Sequence, residues 1–309
     1  MEKGGIASVG ECMLELSGGS GGNWRMGHAG DTFNTLWAMR ALTPETIAAD
    51  YVSAFGDDPF SADQRNFFAD HGIGTAASPV IPGKRPGLYA ITLDGAERSF
   101  TYWRADSAAR CLADDPLALE KSLEKRALVY FSGITLAILE EPARKTLIAA
   151  LETARKDGSR IAFDPNYRPR LWASPEAARA AIDAALAVCD IALPTFPDEA
   201  ELYGDKDPQA TARRLAEAGV GEAAIKNGAE PTLLSAGGGA VLIPAVAVAD
   251  PVDTTGAGDS FNGAYLAARV AGLAPETAAR RAHKVAAAVI QVHGALAPFS
   301  VLREAFAEA

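Results

Sequence analysis

The stretch Val252-Asp253-Thr254-Thr255-Gly256-Ala257-Gly258-Asp259-Ser260-Phe261-Asn262-Gly263 sets two glycines around an alanine, an aspartate directly behind them, and helix formers after that. It reads as a tight turn feeding a helix N-terminus. Glycine permits positive φ and lets a ligand approach the backbone closely. The first N–H groups of a helix from about Gly258 to Ala271 converge on one spot, with the positive end of the helix dipole behind them. Such a spot favours an anion, most often phosphate. Asp259 is at odds with this, because a carboxylate beside an anion site repels the ligand. Either it merely caps the helix, or it takes a proton from an attacking hydroxyl as a general base. The density of Gly, Thr and Asp around it favours the base.

From Leu128 onward the chain alternates strand and helix. Leu128-Val129-Tyr130-Phe131-Ser132-Gly133, Ile161 to Asp164, Asp190 to Leu193 and Ala223 to Gly228 read as strands. The segments Glu140 to Lys156, with Leu147, Leu151 and Ala154 on one stripe, and Pro175 to Val188 read as the intervening helices. Such a βαβ series predicts a mostly parallel sheet with helices on both faces. Ligands of such sheets sit beyond the carboxyl ends of the strands. Asn166 and Arg168 fall just past one end, and Thr195, Asp198 and Glu199 past the next. Arg168, held between Pro165 and Pro169, is pre-oriented for a carboxylate or phosphate, though a solvated loop arginine fits equally. Lys226, Asn227 and Gly228 close a further strand. Alanine-rich helices over Pro275 to Val292 and Ser300 to Glu308 finish the chain.

The N-terminal part starts with a buried strand, Ile6 to Glu11, which Cys12 to Leu16 continues with alternation. Gly18 to Gly22 is a glycine-rich turn without the spacing of a dinucleotide fingerprint. Gly27-His28-Ala29-Gly30-Asp31-Thr32-Phe33-Asn34 then runs into a helix through Leu36, Met39 and Leu42. Here Gly30 could bring backbone against a ligand and Asn34 offers both donor and acceptor; a plain glycine turn capped by Asp31 is the alternative. Tyr51 to Phe55 is a strand, and Pro59 to His71 a helix ended by Gly72. Around Asp94-Gly95-Ala96-Glu97, the alternating stretches Gly87 to Asp94 and Arg98 to Arg104 form a β-hairpin. With residues 12–17 it could make a small separate sheet, suited to a lid over a cleft or a dimer clasp. Tyr102 and Arg104 share one face and could grip a polyhydroxy, anionic ligand together; a cross-strand surface pair is the other reading.

The 309 residues, 49% hydrophobic and 22% charged, fit one large α/β domain over 1–309. A net charge of −10 argues against a nucleic-acid partner. Cys12, Cys111 and Cys189 are odd in number and without CxxC pairing, so a reducing compartment is expected, and the four histidines show no metal spacing. No apolar run reaches membrane-spanning length. A cytoplasmic protein with no membrane partner is the expectation.

Asp253 to Phe261 resembles the second signature of the PfkB (ribokinase-like) sugar kinases, and Gly30 to Asn34 resembles their first, with Ala29 where the family has glycine. Ala29 to Asn34, Gly87 to Ile91, Phe100 to Arg104, Tyr130 to Ile134 and Phe163 to Trp172 are most similar to the family's 2-keto-3-deoxygluconate kinases. The resemblance implies a ribokinase-like α/β fold with a β-sheet lid, ATP and Mg2+ as cofactors, and phosphoryl transfer to a sugar hydroxyl. It makes Asp259 the base and the N–H groups of Gly256, Ala257 and Gly258 the hole for the moving phosphoryl. It sets Gly30, Asn34, Tyr89, Tyr102, Arg104 and Arg168 on a sugar acid, and Asn166, Lys226, Asn227, Gly228, Gly256 and Gly258 along ATP. Two arginines suit a carboxylate, which a neutral sugar lacks. The family's Asn-x-x-Glu appears here as Thr195-Phe-Pro-Asp198, so Asp198 or Glu199 would hold magnesium through water. The lid implies a homo-oligomer, a dimer through the lid sheet or something larger. A kinase of a neutral sugar or nucleoside, and a non-catalytic sugar-acid sensor, are the competing readings.

Overall fold

The computed structural model describes residues 4–18, 23–94 and 97–307. Its strands are β1 (Gly5–Val9), β2 (Met13–Gly18), β3 (Trp24–Ala29), β4 (Ala49–Val52), β5 (Phe55–Gly56), β6 (Val80–Ile81), β7 (Leu88–Asp94), β8 (Glu97–Trp103), β9 (Arg126–Ser132), β10 (Arg160–Asp164), β11 (Ile191–Ala192), β12 (Glu222–Asn227), β13 (Glu230–Ala236) and β14 (Gly239–Ile243). The main sheet runs β14-β13-β12-β11-β10-β9-β1-β4. It is parallel from β4 to β12 and antiparallel beyond.

Leu128, Val129, Tyr130 and Phe131 of β9 are all fully buried, although neighbours along a strand face opposite ways. Both faces of the sheet are therefore covered, which is why these strands read as apolar runs rather than alternating ones. One face packs Val129, Phe131, Ile161 and Phe163 against helices Pro116–Leu123, Glu141–Lys156 and Pro175–Leu186. The other packs Ile6, Leu128 and Tyr130 against helices Asp31–Leu42, Ala257–Val270 and Pro275–Val289. Each buried leucine or phenylalanine contributes about 1.5–3 kcal/mol in transfer terms.

One contact on that second face positions the site. A Cβ at Gly263 would lie 2.4 Å from Thr35 O and 2.6 Å from the Ala38 side chain. Glycine there lets helix Ala257–Val270 press directly onto helix Asp31–Leu42. That contact brings Asp259 to Asn34, residues 225 apart in the chain.

The separate sheet, order β3-β2-β7-β8, contains the strands expected to form a lid. β2 and the β7–β8 hairpin were expected, but β3 was not: Gly27 to Ala29 read as part of a turn. Trp24 and Met26 are about half exposed, so β3 lacks the apolar face that marks a strand. The chain also breaks after β1, and β2 joins the lid instead of continuing the main sheet. In the hairpin the strands reach Asp94 and resume at Glu97. Gly95, Ala96 and the glycine-rich residues 19–22 lie outside the described residues. The polar turn expected after Ile225 proves to be the start of an antiparallel extension, with Gly228 at φ +60 and Gly237 and Gly238 turning β13 into β14. No described helix is long and apolar enough to cross a membrane.

Candidate active site

Gly256 caps the helix Ala257–Val270 in a left-handed conformation, φ 76 and ψ 3. A side chain there would be strained by that φ and would stand 3.0 Å from Ala295. Among the described residues the N–H groups of Gly256 and Gly258 meet no acceptor, whereas Ala257 N–H makes a long 3.3 Å bond to Thr254 O. No side chain caps this helix, so the capping role for Asp259 is excluded. Its Oδ2 instead accepts a 2.8 Å hydrogen bond from Asn34 Nδ2. Asn34 is oriented in turn by Gly30 N–H, which donates to its Oδ1 at 3.3 Å.

Two cavities meet at Asp259. One, of about 370 Å³, is lined by Thr195, Lys226, Gly228, Thr254, the Gly256–Gly258 turn and His283. The other, of about 470 Å³, is lined by Gly30, Asp31, Asn34, Tyr89, Tyr102 and Arg104 under the lid. Asn166, Arg168 and Asp259 line both. Asn166 has φ 35, a strained value for a residue with a side chain, at the junction of the two spaces. Its Nδ2 donates to Asp31 Oδ2 at 2.8 Å.

The phosphate-side cavity modifies two expectations. Lys226 lines it, but its ammonium is spent on Asp164 Oδ2 (2.9 Å), Asn262 Oδ1 (2.7 Å) and Leu193 O. Three donors meet three acceptors, leaving none for a nucleotide. Asn227 ends β12 outside the cavity lining. His283 was not anticipated: it is 7% exposed and lies edge-on to Phe261 on the cavity wall. Set in an alanine-rich helix, it carried no sequence signal.

In the lid-side cavity both expected arginines are paired. Arg104 binds Glu11, whose side chain is 1% exposed, while the buried Arg104 Nε lacks an acceptor. Arg168 pairs with Asp198 at 3.0 Å. Tyr89 donates to Glu15 and lies 5.7 Å, centroid to centroid, from Tyr102. Glu11, Asp31 and Arg170 also line this space and were missed. Glu11 read as the end of a strand, and Asp31 as a possible cap, although Gly30 holds the cap position.

Burial, reinforced by the nearby Asp31 carboxylate and opposed by the Asn34 hydrogen bond, raises the Asp259 pKa to about 7. A carboxylate poised near neutrality beside an anion-binding turn can exchange a proton with a hydroxyl in the lid-side cavity.

The expected metal residues fit less well. Glu199 is fully buried and held by Arg214 at 2.6 Å, which removes it from any cation site. Asp198 is committed to Arg168. Among the described residues no group of three or more His, Cys, Asp or Glu could hold a metal. Magnesium would have to arrive on the nucleotide with its own waters.

The pfkB family carbohydrate kinase pattern matches residues 3–301. A 2-dehydro-3-deoxygluconokinase of Dickeya dadantii is 40% identical over 96% of this chain and 98% of its own length. One of Escherichia coli K12 is 39% identical over 95% and 97%. Among solved structures, an Escherichia coli protein described as a ribokinase II, in complex with ATP and Mg2+, superposes with a TM-score of 0.85 over 99% of this chain and 100% of its own, at 21% identity. A Xylella fastidiosa fructokinase with bound ATP gives 0.85 over 98% of both chains, at 20% identity. With the family pattern spanning nearly its whole length and full-length relatives at about 40% identity, this chain belongs to the PfkB family of carbohydrate kinases.

Proposed function

We propose that the chain transfers the γ-phosphoryl group of ATP to 2-keto-3-deoxygluconate, making 2-keto-3-deoxy-6-phosphogluconate. The observation that carries the reading is the position of Asp259, on the wall shared by two cavities and beside unclaimed backbone N–H groups. ATP occupies the cavity of the glycine turn, and the sugar acid lies under the lid with its terminal hydroxyl at Asp259. Asp259 takes the hydroxyl proton as the oxygen attacks. The N–H groups of Gly256 and Gly258 stabilise charge on the phosphoryl oxygens. Mg2+ would arrive with ATP and would neutralise charge on its phosphates.

Relatives named 2-dehydro-3-deoxygluconokinase support the substrate, and so do the arginines of the lid-side cavity. An ADP-release assay across keto-deoxy acids and neutral sugars tests it directly. Arg104→Gln sharpens the test. It removes a charged donor, and it leaves Glu11 unpaired where its charge repels a carboxylate but not a neutral sugar. Turnover of the keto acid should fall about 10- to 150-fold in kcat/KM, with a much smaller change for a neutral sugar. Equal losses on both would show that Arg104 meets oxygens the two substrates share; a wild type that prefers a neutral sugar in the panel would refute the sugar-acid reading.

The outward face of the lid supports a second copy as partner. Trp24, Met26 and Trp103 stand 48%, 49% and 59% exposed, and the β2–β3 and β7–β8 registers put them on the face that also carries Leu16 and Ala90. Trp103→Asp should convert a dimer to a monomer in light scattering; a wild-type monomer at micromolar concentration would rule the clasp out.

A further inference from the structure

Resting on the sugar-acid reading, we infer that Arg170 supplies the charge that selects a carboxylate, while Arg104 and Arg168 act as donors whose charge the protein already answers. Three arginines line the lid-side cavity: Arg104, Arg168 and Arg170. Arg104 is bound to Glu11, which is buried, and Arg168 to Asp198. An incoming carboxylate could claim the full charge of either only by stripping it from its protein partner. For Arg104 that would leave Glu11 buried and uncompensated, the situation folded proteins avoid most strongly. Each pair presents N–H groups with little net charge, which suits hydroxyl and keto oxygens.

Arg170 differs in its pairing. It sits in the short 3-10 turn Pro169–Leu171, directly after Arg168, and like Arg168 it is exposed. No hydrogen bond or ion pair with the described residues engages it, yet it lines the cavity. Besides Glu11, the acidic side chains on that wall are Asp31 and Asp259. Without Arg170 the wall would carry Glu11, Asp31 and Asp259 against Arg104 and Arg168, and Arg168 also answers Asp198. A sugar acid would then enter a cavity of like charge. Arg170 offsets that surplus and can meet the carboxylate bidentately at the rim. As an exposed cation it also draws the anion in from solvent, an attraction that salt screens.

The test is steady-state kinetics of the wild type, Arg170→Gln and Arg170→Lys on 2-keto-3-deoxygluconate with saturating ATP, at low and high salt, with thermal melting as a folding control. Arg170→Gln should raise KM about five- to twentyfold, with a small change in kcat, and flatten the rise of KM with salt. Arg170→Lys, keeping charge but losing the fork, should keep the salt dependence and recover part of the affinity. A glutamine variant whose KM and salt dependence match the wild type overturns the inference and leaves the sugar-acid reading standing. So does a fall in kcat at unchanged KM. A wild type that phosphorylates neutral sugars and no sugar acid overturns both.

Discussion

Asp259→Asn is expected to lower kcat by about a hundred- to ten-thousandfold, the range a positioned general base supplies, while the KM for ATP changes little. The amide fills the same volume and can still meet Asn34, so the loss isolates the proton-accepting function. The pH dependence has a definite sign. A base must be ionised to work, and burial first and the Asp31 charge second raise Asp259 to about 7. Wild-type kcat/KM should therefore climb through about pH 7 and level off above it. Asp31→Asn removes the second cause, so the limb should move to lower pH. Stability should respond in the opposite sense to activity. Because the folded-state pKa lies above that of a free aspartate, ionising Asp259 costs stability at pH values above about 7. There Asp259→Asn should melt at or above the wild-type temperature. A variant that keeps more than about a tenth of wild-type kcat would remove Asp259 from the base role, and unchanged biological output with no turnover would revive the sugar-acid sensor.

Much of this site was legible because its chemistry is local. The turn at Gly256 to Asp259 announces itself through glycine, and the strand ends at Asn166 and Arg168 follow from the βαβ rhythm. Identities that depend on a partner far along the chain were not legible. Nothing at position 226 says that its ammonium is consumed by Asp164, Leu193 and Asn262, which lie 62, 33 and 36 residues away. Nothing at Glu11 says that it neutralises Arg104 across the lid sheet. β3 was missed for a related reason. Its pairing with β2 rests on backbone hydrogen bonds, and its half-exposed side chains carry no periodic imprint. Sequence reports what a segment does by itself; charge pairing between elements belongs to the fold.

That pairing is what makes Lys226 the second position of large expected effect. Lys226, Asp164 and Asn262 are 7%, 4% and 0% exposed, and they join β12, β10 and helix Ala257–Val270 just beneath the glycine turn. Asn262 Nδ2 also donates to Asp164 Oδ2 at 2.7 Å, closing the triangle. Lys226→Met conserves length and apolar stem but leaves Asp164 as a buried charge without a cation. Breaking a buried pair from one side costs about 3–5 kcal/mol, which for a chain of this size lowers the melting temperature by roughly 10 °C. Lys226 also holds the Asp259 pKa down, whereas Asp164 pushes it up. The variant should therefore shift the activity limb to higher pH, even in molecules that remain folded. Adding Asp164→Asn removes the stranded charge and should return part of both the stability and the pH profile, a recovery that a double-mutant cycle reads as coupling. A nucleotide-contacting lysine would behave differently: KM for ATP would rise, melting would hold, and Asp164→Asn would recover nothing. That pattern would mean the ammonium leaves its three acceptors to meet ATP, and the hub would then be a resting arrangement of the free enzyme.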